Sequence, residues 1–416
     1  MHGSQSATRL ILIMCMAEVL GMAGVFAFPA LLPRFLQDWG LTHTEAGWIN
    51  GIYYAGYTLA VPVLASLTDR VDARRVYLAS GAVAASAALG FALFADGFWT
   101  ACVFRALGGL GLAGTYIPGL KVLVDRLRGT AQARAVAIYT ATFGIGTSLS
   151  FFGAGELGAR FGWRWAFAFA AASAVVALVL AGTAIRPKSP ESSEIPDTRL
   201  LDFRPVLRNR KAMSYVLAYA THMWELFAMR SWMVAFLAFS MSLQPSEEGH
   251  WSPATVAALA ALVAVGANVG GAELAIRFGR QRILRLIMWS SAVFAFGFGF
   301  TAALPYPVVA GLCVLYTMFV TADSGAIHTG AVLSAEPERR GATMAIQSLL
   351  GFAIASVAPL VVGMVLDASG SGESVQSWGA AFITMGLVVA LGPIILALLG
   401  RKTTPTHRSP SEASAL

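Results

Sequence analysis

Six charged side chains lie inside long apolar runs of this sequence, where a charge is costly and therefore indicates a functional site. The acids among them can bind and release a proton, and the bases can bind an anion. Such a set predicts that proton movement is coupled to the binding of a charged solute. The six residues are Glu18, Glu225, Asp323, Arg105, Lys121 and Arg230.

Other polar and aromatic side chains lie close to these charges along the sequence. His222, Glu225 and Met229 follow helical spacing and would share one helix face. His222 and His328 add two side chains of a type that titrates near neutral pH. Aromatic residues on these runs and on one neighbouring apolar run could contact a solute, although such residues more often pack helices together; they are Tyr53, Tyr54, Tyr57, Tyr116, Trp224 and Trp232.

The elements that must hold these residues are membrane helices. The chain has 416 residues, of which 57% are hydrophobic and 12% charged, which is too little charge to cover a soluble protein. The apolar runs are about twenty residues long, the length at which a helix crosses the hydrocarbon core. Because the runs are continuous rather than alternating, helices are expected rather than a barrel. The predicted fold class is therefore an all-α membrane protein.

Twelve such runs are predicted, in two sets of six. The N-terminal bundle takes residues 1–185 and the C-terminal bundle takes residues 212–400, with a polar linker at 186–211 and a polar tail at 401–416. The runs are called the first to the twelfth span. They are expected at residues 10–32, 46–67, 76–94, 99–123, 133–157, 163–185, 213–240, 253–276, 283–304, 308–330, 341–366 and 379–399.

The basic residues predict the orientation of the spans. Of the 29 Lys and Arg residues, Arg34, Arg160 and Arg164 alone fall in one set of loops, whereas the linker, both ends and the opposite loops hold nearly all the others. Cytoplasmic loops carry the excess of basic residues, so both termini are expected in the cytoplasm. The net charge of +7 then reports topology rather than nucleic-acid binding. We expect a multi-pass protein of the cell inner (plasma) membrane, with the lipid bilayer as partner.

An internal repeat relates the two bundles. Ala65-Ser-Leu-Thr-Asp-Arg-Val-Asp-Ala-Arg-Arg75 follows the second span, and Ala272-Glu-Leu-Ala-Ile-Arg-Phe-Gly-Arg-Gln-Arg282 follows the eighth. One constant shift along the sequence also brings Glu18 onto Glu225. Duplicated bundles of this kind are common among secondary transporters.

On these residues the chain resembles a major facilitator superfamily transporter over essentially its full length. The family's loop signature is Gly-x-Leu-Ala-Asp-Arg-x-Gly-Arg-Arg, and the fourth span resembles its Arg-x-x-x-Gly-x-Gly pattern as Arg105-Ala-Leu-Gly-Gly109-Leu-Gly111. The first loop has Ala65 and Asp72 where glycines are usual, and the second has Ile276 in place of the acid. The positions that keep the signature are Leu67, Asp69, Arg70, Arg74, Leu274, Ala275, Arg277, Phe278, Gly279 and Arg280.

The resemblance implies a twelve-helix fold of two six-helix pseudo-repeats that works by alternating access. It also implies that the first, fourth, seventh and tenth spans line a central cavity, and all six intramembrane charges lie on those spans. The loop residues would then form a latch that holds the outward-open state, although they could also serve only to enforce topology. The predicted latch residues are Asp69, Arg70, Arg74, Arg277 and Arg280.

Two roles compete for each class of intramembrane charge. Glu18, Glu225 and Asp323 are predicted to couple proton movement, and the alternative is a permanent ion pair with an arginine. Because a guanidinium suits carboxylates and phosphates, the substrate is predicted to be a small organic anion. In the alternative, Arg105 only braces its helix and the substrate is neutral or cationic. The predicted substrate contacts are Arg105, Arg230, Tyr54, Tyr57, Tyr116, His222, Trp232 and His328.

The sequence as a whole predicts a secondary active transporter rather than an enzyme, moving a small molecule together with a proton, or with sodium. Proton-coupled efflux of drugs or metabolites is one alternative, and a non-transporting membrane sensor on the same scaffold is another. The fifth span lacks the Gly-Pro pair that is usual in drug antiporters of the superfamily, which disfavours drug efflux. We expect no cofactor, no metal site and no nucleic-acid partner, and we expect a monomer.

Overall fold

The computed structural model of the protein describes residues 7–68, 70–188, 204–246 and 249–400. Every regular element among these residues is a helix, which confirms the predicted all-α class. In the N-terminal bundle the first span consists of three pieces and the other five spans are single helices. Their bounds are Ala7–Gly21, Ala27–Ala30 and Leu32–Asp38 for the first span, then His43–Leu67, Ala73–Phe94, Phe98–Arg126, Gly129–Phe161 and Trp163–Ala184.

The C-terminal bundle also has six spans, and they follow a short helix, Arg204–Arg208, in the linker. The seventh, eighth and eleventh spans are single helices, whereas the ninth, tenth and twelfth are each made of two pieces. Their bounds are Arg210–Ser242, Pro253–Phe278, Arg280–Phe298 with a 3-10 turn at Gly299–Ala303, Tyr306–Ala322 with Ser324–Ser334, Arg340–Ala368, and Val375–Val389 with Leu391–Leu399.

Nine of the helices in the described ranges are long and apolar enough to cross a membrane, judged by length and composition. The other three predicted spans are the first, second and seventh. The first is interrupted by turns, and the second and seventh carry buried polar residues such as Asn50 and Glu225.

The first span is broken between Gly21 and Ala27, at a depth where water cannot satisfy its backbone. Ser150 on the fifth span accepts a hydrogen bond from the Phe26 N–H at 2.9 Å and donates one to the Ala23 carbonyl at 2.8 Å. Arg105 on the fourth span donates to the Val25 carbonyl at 3.1 Å. These side chains therefore replace the missing helical hydrogen bonds.

The two bundles meet along the second and eleventh spans. A Cβ placed on Gly51 would lie 2.2 Å from the Ser356 carbonyl oxygen, so only glycine permits this approach. Farther along the same pair of helices, the rings of Tyr57 and Phe352 pack with centroids 4.1 Å apart. The end of the molecule that holds the loop at residues 39–42 is called the outer end, and the opposite end is called the inner end.

Within the N-terminal bundle, the second and fourth spans touch backbone to backbone at Gly109, where a Cβ would lie 1.8 Å from the Tyr53 carbonyl oxygen. We predict that Gly109→Ala forces these helices apart and costs about 1–3 kcal/mol of stability or more. The measurement is thermal unfolding of the purified protein in detergent. Gly266→Ala, where nothing lies within 4 Å, is the control and should be neutral or slightly stabilising. Equal stability of the two variants would contradict this packing.

Candidate functional site

A cavity of about 280 Å³ lies between the two bundles, with walls from both. Its size is close to the lower end of small-molecule sites, ~300–1,000 Å³. The first, second, fourth and fifth spans line it from one side, and the seventh, eighth, tenth and eleventh from the other. Six predicted substrate contacts lie in its wall, namely Tyr54, Tyr57, Tyr116, His222, Arg230 and His328.

Arg230 is the intramembrane base that faces this cavity. Its guanidinium lies over three phenylalanine rings, 5.4 Å from the centroid of Phe26, 5.7 Å from Phe227 and 5.8 Å from Phe143. No carboxylate within the described ranges forms an ion pair with it, although its side chain is only 8% exposed. The cavity therefore contains a cation that is largely desolvated and lacks an acidic partner among those residues.

His222, at another part of the cavity wall, forms a close pair with Asp323. Nδ1 of His222 lies 2.8 Å from Oδ1 of Asp323, and both side chains are almost fully buried. The two atoms lack the alignment of a hydrogen bond. Asp323 stands at the break of the tenth span, and the next turn is held by Asn268, which accepts the Gly325 N–H at 2.8 Å.

A second polar group adjoins this pair. The Tyr219 ring stacks between two histidines, with centroids 5.9 Å from His222 and 5.1 Å from His328. Nδ1 of His328 lies 2.9 Å from Nε2 of Gln347 on the eleventh span. Titratable groups of the seventh and tenth spans are thus connected to the eleventh span, which carries much of the contact between the bundles.

Glu225 and Glu18 lie inside the walls of their own bundles rather than in the cavity lining. Oε1 of Glu225 accepts hydrogen bonds from Tyr316 at 2.8 Å and from Ser291 at 2.9 Å. Glu18 accepts one from Thr142 on the fifth span. The internal repeat aligns these two acids in the sequence. In the structure, the carboxylate of each one accepts a hydrogen bond from a hydroxyl group of its own bundle.

Three further intramembrane residues lie away from the cavity. Arg105 lies against the break of the first span, and its guanidinium carbon is 4.1 Å from the centroid of the Tyr53 ring. This position fits the alternative role in which Arg105 braces a helix. Trp232 is fully buried near the outer end and donates to the Pro359 carbonyl at 2.9 Å. Lys121 pairs with Asp125 one turn along its own helix, at 3.6 Å. The structure does not bring these residues to the substrate space.

At the outer end, one carboxylate of the C-terminal bundle accepts hydrogen bonds from the N-terminal bundle. Asp367, at the end of the eleventh span, accepts the backbone N–H of His43 at 3.0 Å and that of Thr44 at 2.8 Å. It also accepts the Thr44 hydroxyl at 2.6 Å and lies 3.0 Å from Nδ1 of His43. An acid at a helix N-terminus is favourable because the free N–H groups and the helix dipole point toward it. We call this set the outer closure.

The predicted latch loops lie at the inner end, and each makes contacts inside its own bundle. Arg74 donates to the Gly182 carbonyl at 2.7 Å, and Arg277 lies 3.9 Å from Glu273. Arg70 is exposed, and Arg280 begins the ninth span. Asp69 falls outside the described residues. Latch contacts between the bundles therefore remain a prediction for another conformation.

Asp72 connects several parts of the first loop, although the sequence singled it out only because it replaces a glycine. It caps the third span by accepting the Arg74 N–H at 3.0 Å, and it also accepts the Lys188 N–H at 2.9 Å. Arg126 lies 3.4 Å away. Burial alone would raise the pKa of this carboxyl, but the two N–H groups and the Arg126 guanidinium hold it below the ordinary 3.8.

Sequence reasoning missed several cavity residues. The rings of Phe143, Phe227 and Phe352 gave no signal because phenylalanine is common in every span. Asn268 could have been found, since it is a lone amide within an apolar run of the eighth span.

The comparisons with known proteins agree with this architecture. The sequence model of the Major Facilitator Superfamily matches residues 14–359. The chain belongs to this superfamily. Membership confirms the predicted family and the assignment of the chain as a multi-pass membrane protein of a transporter family rather than an enzyme.

Two relatives are similar to the chain at low sequence identity. The niacin transporter NiaP of Acinetobacter baylyi is 24% identical over 157 residues, which is 38% of this chain and 35% of that protein. The sphingosine-1-phosphate transporter SPNS2 of Xenopus tropicalis is 22% identical over 411 residues, covering 93% of this chain and 79% of that protein. The chain thus matches only about a third of the niacin transporter's length.

A solved structure extends the likeness to three dimensions. A bacterial homologue of the human lysosomal transporter Spinster, in an inward-facing and occupied conformation, superposes with a TM-score of 0.79 at 16% identity. The match covers 96% of this chain and 98% of that one. At this identity the comparison shows the shared superfamily fold.

We predict that removing the outer closure shifts this superfamily member toward an outward-open state. Asp367→Ala deletes the acceptor of two backbone N–H groups, so the closed population should fall by about tenfold or more relative to the open one. The measurement is spin-label distance between the outer ends of the second and eleventh spans. The control is Glu373→Ala, an exposed acid nearby. Unchanged distances in Asp367→Ala would contradict the role of this carboxylate.

Asp72 gives a prediction with a defined pH sign. Because its folded-state pKa is lowered, its stabilising effect is fully present above about pH 3.8 and is lost as the pH falls through the lower folded value. Asp72→Asn should therefore unfold more readily than the unmodified protein at neutral pH, and the difference should shrink in acid. Thermal unfolding across the pH range tests this, with the exposed Asp38→Asn as control. A difference that grows in acid would contradict it.

Proposed function

We propose that the protein is a secondary active transporter that moves a small organic anion together with a proton by alternating access. The observation that carries this proposal is the Arg230 guanidinium in the wall of the central cavity, which has no acidic partner within the described ranges. The proposal includes the membrane assignment, with the protein in the inner membrane and both termini in the cytoplasm. The cavity is formed within one chain, which supports a monomer as the working unit.

An anionic substrate follows from the cost of a buried charge. A guanidinium removed from water without a counter-charge is destabilised by several kcal/mol, and a bound carboxylate or phosphate would offset that cost. The phenylalanine rings around Arg230 lower the cost only in part, because a cation–π contact is worth ~0.5–2 kcal/mol. The two relatives above are named for niacin and sphingosine-1-phosphate, which both carry an anionic group.

Proton coupling follows from the charge balance of the groups at the cavity. We propose that the empty carrier has one positive charge at this site, on Arg230, and one negative charge, on the pair formed by His222 and Asp323. A bound monoanion alone would add an uncompensated negative charge, and a bound proton alone would leave an uncompensated positive one. Bound together, they restore neutrality. Since a net charge is costly within a membrane, the bundles should reorient either empty or doubly loaded.

The buried acids contribute to coupling in proportion to their access to this cavity. Asp323 reaches it through His222, so we propose the pair as the primary proton site. Glu225 and Glu18, held by hydroxyl groups behind the cavity wall, are proposed to relay or store the proton within each bundle. We propose that the coupling ion is a proton rather than sodium because a histidine lies against the acid.

Alternating access requires contacts that exist in one conformation only. The outer closure supplies them at the outer end, where Asp367 joins the bundles. At the inner end we propose that the two basic loops, with Asp69, Arg70, Arg74, Arg277 and Arg280, make the opposing latch when the outer closure opens. The carrier would then exchange one set of interbundle contacts for the other.

We predict that replacing Arg230 and replacing Asp323 cause two different defects in proteoliposome uptake. The solute is the organic anion that most strongly stabilises the purified protein against heat. Arg230→Gln should lower uptake by about tenfold or more, because it removes the charged partner of the anion. Asp323→Asn should keep solute exchange but lose its acceleration by an inward proton gradient. Glu225→Gln and Glu18→Gln then show which acid also couples.

The control for this experiment is Asp38→Asn, an exposed acid at the end of the first span, which should transport normally. Normal gradient-driven uptake and unchanged pH dependence in both Arg230→Gln and Asp323→Asn would overturn the proposal. Binding of the solute without any flux would favour the sensor alternative instead.

A further inference from the structure

We infer that the central cavity selects small aromatic monocarboxylates, with the carboxylate on Arg230 and the ring among aromatic side chains from both bundles. The inference rests on the proposed transport of an organic anion and narrows its substrate class. It depends on three properties of the cavity, which are the aromatic side chains in its wall, Arg230 as the one Arg or Lys among the described lining residues, and its volume.

Aromatic rings form much of the cavity wall, and several of them pair across the interface between the bundles. The Tyr57 ring lies 4.1 Å from that of Phe352, and the Tyr54 ring lies 4.5 Å from that of Phe227, edge to face. Within the N-terminal bundle, Tyr116 meets Phe143 edge to face. An aromatic solute between such rings can form the same offset and edge-to-face contacts, which add ~0.5–1.5 kcal/mol beyond area burial.

These rings belong to both moving parts of the molecule. Tyr54 and Tyr57 are carried by the second span, whereas Phe227 and Phe352 are carried by the seventh and eleventh. A ring that packs beside these pairs in the cavity therefore contacts both bundles at once. Binding energy from such a solute is available to the reorientation itself, and an aliphatic acid of equal charge would supply less of it.

The charges favour one carboxylate rather than two. Arg230 is the one Arg or Lys among the described lining residues. His222, whose Nδ1 lies 2.8 Å from Oδ1 of Asp323, is eight residues earlier on the same helix, so the backbones of His222 and Arg230 are about 12 Å apart along the axis. A second carboxylate on the solute would find no second Arg or Lys among the described lining residues, and toward His222 it would approach Asp323.

The size and surroundings of the cation favour a compact, weakly hydrated anion. About 280 Å³ accommodates a solute of one or two rings and does not enclose a long acyl chain. Arg230 is held against three phenylalanine rings, and a guanidinium is itself weakly hydrated. A strongly hydrated small anion would lose its water without gaining apolar contacts, so it should bind poorly.

The test measures binding of four probes to the purified full-length protein at neutral pH, by thermal stabilisation and by calorimetry. Benzoate should bind most tightly. Cyclohexanecarboxylate, with equal charge and no π-system, should bind a few-fold to about tenfold more weakly. Benzamide, which lacks the charge, and phthalate, which carries a second carboxylate, should each bind about tenfold or more weakly.

Variants connect the binding to the geometry. Arg230→Gln should lower benzoate affinity to the level of benzamide, and Phe143→Leu should remove most of the preference for benzoate over cyclohexanecarboxylate. The matched control is Arg164→Gln, because Arg164 also lies over an aromatic ring, 4.4 Å from Trp163, but is exposed on the surface. If Arg230→Gln does not fold, the four probes still give the ranking on the unmodified protein.

The outcomes separate the inference from the proposed function. If cyclohexanecarboxylate or phthalate equals or exceeds benzoate, the aromatic monocarboxylate class is overturned while anion transport stands. If benzamide binds as tightly as benzoate, and Arg230→Gln changes neither, the anionic substrate itself is overturned.

Discussion

The structure depends on one constraint, which is that polar groups within the hydrocarbon layer must find partners inside the protein. The break of the first span shows how that constraint is met, because Arg105 and Ser150 supply the hydrogen bonds that the helix has lost. Asn268 does the same at the break of the tenth span. Each break is clamped by side chains of its own bundle, so the bundles remain rigid units and the contacts between them can change.

The same constraint sorts the intramembrane charges into two groups. Glu18, Glu225 and Arg105 have polar partners within their own bundle, although Arg105 and Glu18 retain unpartnered atoms. Arg230 and the pair of His222 and Asp323 lie at the cavity instead. A charge that faces the cavity can gain a counter-charge from a ligand, whereas one enclosed in the wall of its own bundle cannot reach one. The structure therefore indicates chemistry where charges face the cavity, and bracing where they lie within a bundle.

The closure at the outer end follows the same principle with a backbone partner. Asp367 occupies the N-terminus of the second span, so a helix dipole of one bundle is matched by an acid of the other. Such a contact is strong when formed and leaves both groups near water when broken. This makes it suitable for a conformation that must be stable and yet reversible, unlike the fully buried contacts within each bundle.

The amino-acid sequence by itself determined the all-helical class, the approximate positions of the spans and the superfamily, because span length, apolar composition and loop signatures are local properties. It also identified six of the cavity residues, since polar and tyrosine side chains in apolar runs are few. It could not separate Arg105 from Arg230, because both are arginines inside predicted spans and only packing decides which one has carbonyl partners. The phenylalanines around Arg230, the closure by Asp367 and the central place of Asp72 came from the tertiary structure alone. Each of these joins residues far apart in the chain, and such contacts are set by how the helices pack.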